Sequence, residues 1–240
     1  MKHIDARGCN FRELNQRVWE AGTACTLEHC CGQRFIAAGM AEQTVVVRGI
    51  PGNALGAYLN GASITVWGNA QDAVGDTMNA GQIVVHGSIG DAAGYAMRGG
   101  KIFVQGDAGY RAGIHMKAYE NKIPLMVIGG VAGSFLGEYQ AGGRIVVLGL
   151  EADGRRLLGN FPCTGMHGGK LFLRGDCRGL HFPTQVQLHP AGEEDLAELR
   201  PIVAEYAALF DRDAAEILNA PFTVVTPNGS NPYKLMYVAN

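Results

Sequence analysis

Apolar positions alternate in short bursts along the middle of the chain, and each burst stops on a glycine. The pairs Val45/Val47, Ile64/Val66, Ile83/Val85, Ile102/Val104, Met126/Ile128, Ile145/Val147 and Leu171/Leu173 each skip one residue. Period-two apolar residues, mostly β-branched, predict a short strand, and the glycine after each predicts a turn. The closing glycines are Gly49, Gly68, Gly87, Gly106, Gly130, Gly149 and Gly175, at steps of 19, 19, 19, 24, 19 and 26 residues. A second series, Gly56, Gly75, Gly94, Gly113 and Gly137, keeps the same rhythm, and Leu59, Met78, Met97 and Met116 form a third. Self-similarity at such a period signals a repeat architecture. No unit has room for the crossover helix of an ordinary parallel sheet. The pattern therefore predicts an all-β fold: a parallel β-helix, or solenoid, of about seven coils between Thr44 and Asp176. Equivalent side chains then stack about 4.8 Å apart. Ile64, Ile83, Ile102 and Ile145 fall on one interior ladder, and the methionines line one wall.

The flanks break the rhythm. Asn10 and Glu13 have capping-box spacing, and Phe11, Leu14 and Val18 follow on one helical face, with Trp19 beside them. A short helix here would cover the open end of the solenoid, whose first coil otherwise exposes apolar surface and unpaired edges. Residues 24–40 read as a degenerate first coil. After Asp176 the glycine rhythm ends. Leu196, Leu199, Val203, Tyr206 and Phe210 have helical spacing, with Pro201 predicted to break that helix. Asp213 is placed to cap a further short helix, Ala214–Leu218. The tail from Phe222 reads as loop, with apolar residues that would lie back on the solenoid. The whole is one domain, 1–240: cap and degenerate coil over 1–43, regular coils over 44–179, helical extension and tail over 180–240.

Two coils carry extra residues, five within KAYENKIP and seven within a segment that includes EADGRRLLGNFPC. Insertions in a solenoid leave the coil as surface loops, which often bind partners.

Composition adds little to this picture. Hydrophobic residues make up 47% and charged residues 18%, as in a folded soluble protein, and the repeat absorbs many of the 35 glycines. A net charge of −2 provides no general attraction to nucleic acid or to an anionic membrane. The N-terminus has no apolar stretch of the signal-peptide kind, and no apolar run reaches about 18 residues. The expected location is the cytoplasm. The six cysteines include no CxxC; His29 beside Cys30 and Cys31 could mark a ligand cluster, but small buried thiols explain them more simply.

Catalytic motifs are missing. The glycine-rich GIPGNALG, GSIGDAAG and GDAGYRAG are looser than a dinucleotide fingerprint and open no helix, so they read as coil corners. Neither a P-loop nor a nucleophile elbow is present. His86, His115 and His167 have no spacing that suits a metal site. The most polar segment, GYRAGIHMKAYENK, lies at the first insertion, where the repeat places Glu138 one coil from Ile114 and Tyr139 one coil from His115. Arg111, His115, Lys117, Tyr119, Glu120, Lys122 and Glu138 are therefore candidate partner-contact residues. A solvated face is the competing reading, and no nucleophile–base pair is evident.

The coils GDAAGYAMRGGKIFVQGDAGYRAGIHMK, GGVAGSFLGEYQAGG and TGMHGGKLFLRG resemble the GXGXG domain, the right-handed β-helix at the C-terminal end of the glutamate synthase large subunit. The resemblance runs from GQRFIA, near residue 32, and is weakest after residue 190. It implies a right-handed coil and a domain without catalytic residues that holds a glutaminase part and a flavin-binding synthase part in fixed geometry. By the same resemblance, FMN and an iron–sulfur cluster belong to partner subunits, with no cofactor in this chain. Met1 and Lys2 stand where a glutaminase would have its cysteine nucleophile. The expected function is a structural subunit of a glutamate or N-methylglutamate synthase, with a homo-oligomer left open. Two alternatives remain: a scaffold like the related β-helix subunit of formylmethanofuran dehydrogenase, and a β-helix enzyme acting on a polysaccharide or acyl substrate.

Overall fold

The structure is a computed structural model that describes residues 1–177 and 179–229. Eight parallel strands form the coils: β2 (Ala24–Cys31), β3 (Thr44–Ile50), β4 (Asn60–Trp67), β5 (Ala80–Val85), β6 (Lys101–Val104), β7 (Leu125–Ile128), β8 (Ala141–Val147) and β9 (Gly168–Arg174). Strand β2 belongs to the degenerate first coil; the other seven carry the glycine rhythm. No helix interrupts β2 to β9 among the described residues. Each strand pairs with the next in parallel, so the solenoid is built in strict sequence order.

The register follows the repeat. Val45, Ile64, Ile83, Ile102, Met126, Ile145 and Leu171 are successive partners, as are Val47, Val66, Val85, Val104, Ile128, Val147 and Leu173. All of them are fully buried. Across the interior stands the wall of Met40, Leu59, Met78, Met97, Met116 and Met166, interrupted by Gln140. Gln140 is fully buried and donates from Nε2 to the Gly142 and Gly143 carbonyls at 3.1 and 3.2 Å. Its Oε1 has no partner among the described residues.

The middle glycine of each coil corner faces this core. At Gly75 the backbone is left-handed (φ +68°), and a Cβ would lie 2.6 Å from Ile102 Cδ1. Sterics and backbone therefore both demand glycine there. At the two ends of the series, where the stack runs out, Ala37 and Cys163 take the equivalent place with φ of 57° and 59°.

Both ends of the solenoid are closed. At the start, β1 (Lys2–Asp5) pairs parallel with β2, and α1 (Phe11–Glu20) covers the interior with Leu14 and Val18. Asn10 Oδ1 caps α1 by accepting from the Arg12 and Glu13 amides, both at 3.0 Å. The reciprocal arm of a capping box is not made, because Glu13 turns outward to Arg17 (2.6 Å). At the far end, β11 (Phe222–Pro227) pairs antiparallel with β9, and β10 (Val186–Pro190) pairs antiparallel with β11. The stretch from Phe222, expected to be loop, is thus a strand as far as Pro227. Its β-branched run finds the open edge of the last coil, a partner that no local pattern reveals. The remainder of the expected tail, 230–240, lies outside the described residues.

Helix α2 (Glu193–Phe210) is continuous through Pro201, contrary to the expected break. Proline removes one hydrogen bond and costs about 3 kcal/mol in a helix interior. Here the ring is exposed, while Leu199, Ile202 and Val203 on either side are clamped to the sheet. A short helix, α3 (Ala214–Leu218), follows, capped by Asp213 as expected. The apolar face of α2 covers Val84, Phe103, Val127, Val146 and Phe172, which point outward from five successive coils.

Polar contacts set its direction. Lys170 bonds Asp195 (3.0 Å) and Glu198 (2.8 Å), Arg144 bonds Glu198, and Lys101 bonds Glu205 (2.7 Å). From Asp195 to Glu205 a helix rises about 15 Å, and from Lys170 to Lys101 three strand spacings cover about 14 Å. The match lays α2 along the solenoid axis, running back toward the N-terminal coils. His86, stacked on Trp67 at 3.8 Å, meets Phe210 at its C-terminal end.

Candidate partner-contact surface

One edge of the solenoid is built from turns. In each coil, three alternate residues adopt left-handed backbone: Arg111, Gly113 and His115 in one (φ 58°, 69° and 55°), and Phe135, Gly137 and Tyr139 in the next (φ 63°, 64° and 52°). A left-handed non-glycine residue costs on the order of 1 kcal/mol. Coil-to-coil bonding offsets that cost. The Arg111 and His115 amides donate forward to Ser134 O and Glu138 O at 2.9 Å, while Gly113 donates back to Ala93 O at 2.8 Å. Side chains extend the bonding at the neighbouring corner: Asn69 Oδ1 accepts from Ser88 N, Ser88 Oγ from Asp107 N, and Asp107 Oδ1 from Val131 N, at 2.8–3.0 Å. With its backbone groups engaged in this way, the edge presents side chains rather than an open strand.

This geometry throws the first and last residue of each trio outward. Arg111 Nε lies 3.2 Å from Glu138 Oε2, and its guanidinium rests 5.1 Å from the centre of the Phe135 ring. Phe135 stacks on Phe161 of the next coil at 5.4 Å. His115 stacks on Tyr139 at 5.2 Å with rings 7° from parallel, and Tyr95 meets His115 edge-on at 5.8 Å. Tyr58, Tyr110 and Phe161 are each more than half exposed. Rings and charges therefore form a stripe across several coils, fixed by stacking at about 4.8 Å rather than by flexible loops.

The repeat alignment sets His115 beside Tyr139, as observed, and Glu138 beside Ile114; Arg111, in register with Phe135, reaches Glu138 through its side chain. Lys117, Tyr119, Glu120 and Lys122 lie elsewhere. Lys117 is the last coil residue before the insertion, its amide bonded to Met97 O at 3.0 Å. Tyr119, Glu120 and Lys122 form an exposed hairpin in which Tyr119 and Lys122 exchange backbone bonds at 3.1 and 2.9 Å, with Glu120 in left-handed backbone at the tip. Among the described residues no hydrogen bond, ion pair or ring contact joins the hairpin to Arg111 or Glu138. The expected cluster thus divides into an aromatic stripe and a separate charged hairpin, because the insertion leaves the coil just before β7 whereas the stripe sits on the turns. Tyr95, Tyr110, Phe135 and Phe161 went unrecognised in the sequence. Their signal was phase: Tyr95 follows Gly94, Tyr110 precedes Arg111 of its left-handed trio, and Phe135 and Phe161 stand two positions before Gly137 and its equivalent, Cys163.

The second insertion is held down rather than free. Arg155 grips Asp107 at 2.5 Å, and Glu151 pairs with Arg212 beyond the end of α2. Burial tends to raise the Asp107 pKa, but bonds from Arg155 and the Val131 amide outweigh it and hold the carboxyl below its usual range. The histidines are dispersed. His86 packs under Phe210, its pKa lowered by burial, and His115 and His167 occupy other corners. Cys30 is buried and pushed up to about 12, chiefly by desolvation, while His29 turns to Asp5 at 3.3 Å. Among the described residues, no group of three or more His, Cys, Asp or Glu side chains could hold a metal ion. No described helix is long and apolar enough to cross a membrane.

A sequence profile described as the GXGXG motif matches residues 13–228, nearly the whole chain. The chain belongs to the GXGXG motif family. This is the family of the domain found in the glutamate synthase large subunit. A relative, an uncharacterized protein of Methanocaldococcus jannaschii, is 42% identical over 248 residues, covering 98% of this chain and 95% of its own length. Among solved structures, a chain of the formyltransferase/hydrolase complex from Methylorubrum extorquens, in complex with methylofuran, aligns with a TM-score of 0.46. The identity is 18%, over 92% of this chain and 89% of that one.

Proposed function

We propose that this GXGXG protein is a non-catalytic structural subunit of a glutamate-synthase-like complex, making glutamate or N-methylglutamate. On this reading it holds a glutaminase-type subunit and a flavin-binding synthase subunit at a fixed separation, and those partners carry the FMN and the iron–sulfur cluster. Family membership supports the class of complex. The observation that carries the structural role is the rigid stripe of Arg111, Glu138, His115, Tyr139, Phe135 and Phe161 on a solenoid packed with aliphatic side chains. Exposed Tyr, Phe and Arg in a preorganised patch have the composition of interface hot spots, and rigid side chains lose little entropy on docking.

The test is purification of the native protein with its neighbours, identified by mass. A glutaminase-type chain and a flavoprotein should co-elute with it, and the isolated subunit should be colourless and inactive on glutamine. A stoichiometric flavin on the isolated chain, or glutaminase activity that survives rigorous purification, would overturn the proposal.

A further inference from the structure

The solenoid carries two cationic rows on either side of one corner, and only one of them is neutralised. Lys101, Arg144 and Lys170 each face a carboxylate of α2. Around the corner, Arg98 and Lys117 occupy equivalent positions in adjacent coils. Their amides make the same bond to the preceding coil, Arg98 N to Met78 O at 2.8 Å and Lys117 N to Met97 O at 3.0 Å. Their backbone positions thus stack one strand spacing apart, about 4.8 Å. Lys122 adds a third charge, its Cβ only 3.1 Å from where a Cβ on Gly99 would stand. All three side chains are exposed, and no acid pairs with any of them among the described residues. Glu120, the acid of the same hairpin, makes no ion pair with either lysine.

Exposed like charges at equivalent positions of neighbouring coils are screened by solvent and cost the fold little, but they leave a local positive field with no acid to meet it. The molecule already displays what neutralises such a row: an acid-bearing segment laid along the coils, as α2 is laid on Lys101, Arg144 and Lys170. Between the hairpin and α2 lies a groove of about 360 Å³, in which the paired charges Lys101, Arg144, Glu198 and Glu205 alternate with Ile123, Leu125, Pro201 and Ile202. Ile123, next to Lys122, is nearly half exposed.

We infer that Arg98, Lys117 and Lys122 form a carboxylate-binding row that docks an acidic segment of a partner subunit. An apolar side chain of that segment would rest on the exposed Ile123 beside Lys122. The inference rests on the scaffold reading and names the chemistry of one contact. Charge complementarity of this kind sets orientation and encounter rate more than raw affinity.

The experiment uses the full chain and a variant with Arg98→Ala, Lys117→Ala and Lys122→Ala together. A labelled decaglutamate peptide is titrated by fluorescence anisotropy at low and moderate salt. The triple variant should melt with the parent and bind the peptide about tenfold more weakly, the sum of three modest exposed pairs. Lys101→Ala, whose charge is already met by Glu205, should bind like the parent. Equal binding by the parent and the triple variant overturns the inference, as does competition by duplex DNA or inorganic phosphate at least as strong as by unlabelled peptide. The native complex separates this idea from the one it rests on. If the triple variant assembles with the co-purified partners as tightly as the parent at all salts, the row is not their docking site and the scaffold reading survives. If no partner co-purifies but the triple variant still loses the peptide, the scaffold reading fails and the row stands as a carboxylate site.

Discussion

Arg111 and Glu138 are 27 residues apart in sequence and one coil apart in space, with Nε and Oε2 separated by 3.2 Å. The pair exists because the intervening insertion leaves the coil and returns without disturbing the register. Arg111 is half exposed while the Glu138 side chain is mostly covered, so the carboxylate is the anchored member. An exposed pair of this kind contributes roughly 0–1 kcal/mol to folding. Replacing Arg111 and Glu138 by alanine should therefore leave the melting temperature within a few degrees of the parent. Association with co-purified partners, measured by size-exclusion chromatography or interferometry, should weaken clearly. Unchanged association would exclude the stripe as a contact.

The corner glycines offer a sharper stability test. Gly75→Ala places a Cβ both in left-handed backbone and against Ile102 Cδ1, and should cost about 2 kcal/mol or more in urea unfolding. Gly154, with φ +78° and open space around its Cα, should lose only about 1 kcal/mol as alanine. Adding Ile102→Val, which removes the obstructing methyl, should make Gly75→Ala less costly than it is in the parent. That coupling would be read from a double-mutant cycle.

Gln140 is the polar member of a methionine wall. Gln140→Glu would replace the donor that serves the Gly142 and Gly143 carbonyls with a buried carboxyl. Burial of an unpaired charge or loss of such donors costs several kcal/mol, about 3 or more. The variant should unfold at markedly lower urea than the parent at pH 7, and recover part of the difference as acid neutralises the carboxyl.

The docking of α2 should depend on pH in a defined direction. Burial tends to raise the pKa values of Asp195 and Glu198, but bonds from Lys170, and for Glu198 also from Arg144, bring both below their usual values. The bond to Glu198, followed by that to Asp195, outweighs burial and raises Lys170. Carboxylates with depressed folded-state values stabilise the fold above their unfolded pKa, about 4, and that contribution is lost as pH falls through the folded values. Amide exchange in α2 should therefore accelerate below about pH 4, ahead of exchange in β4 to β8. Exchange that rises equally in all of them would mean that α2 is held by its apolar face alone.

The repeat made much of this molecule legible without coordinates. Seven coils appear in the sequence as copies of one another, and a copy carries its own alignment. That is why the partners Val45, Ile64, Ile83 and Ile102, the methionine wall, and even the His115–Tyr139 neighbours follow from counting residues, whereas Arg111, in register with Phe135, meets Glu138 only through the reach of its side chain. Stacking at one strand spacing turns sequence phase directly into spatial adjacency. The flanking elements have no copies to be aligned with. Leu199, Val203, Tyr206 and Phe210 announce a helix, but which face of the solenoid it covers depends on Val84 to Phe172 and on Lys101, Arg144 and Lys170, residues scattered over several coils. Pro201 signals a break that packing on both sides overrides. Phe222–Pro227 becomes a strand only because β9 leaves an edge unpaired. Local pattern thus determined the rod and its register. Long-range packing and charge pairing decided how the rod is closed, which face α2 buries, and which rings and cations are left on the surface.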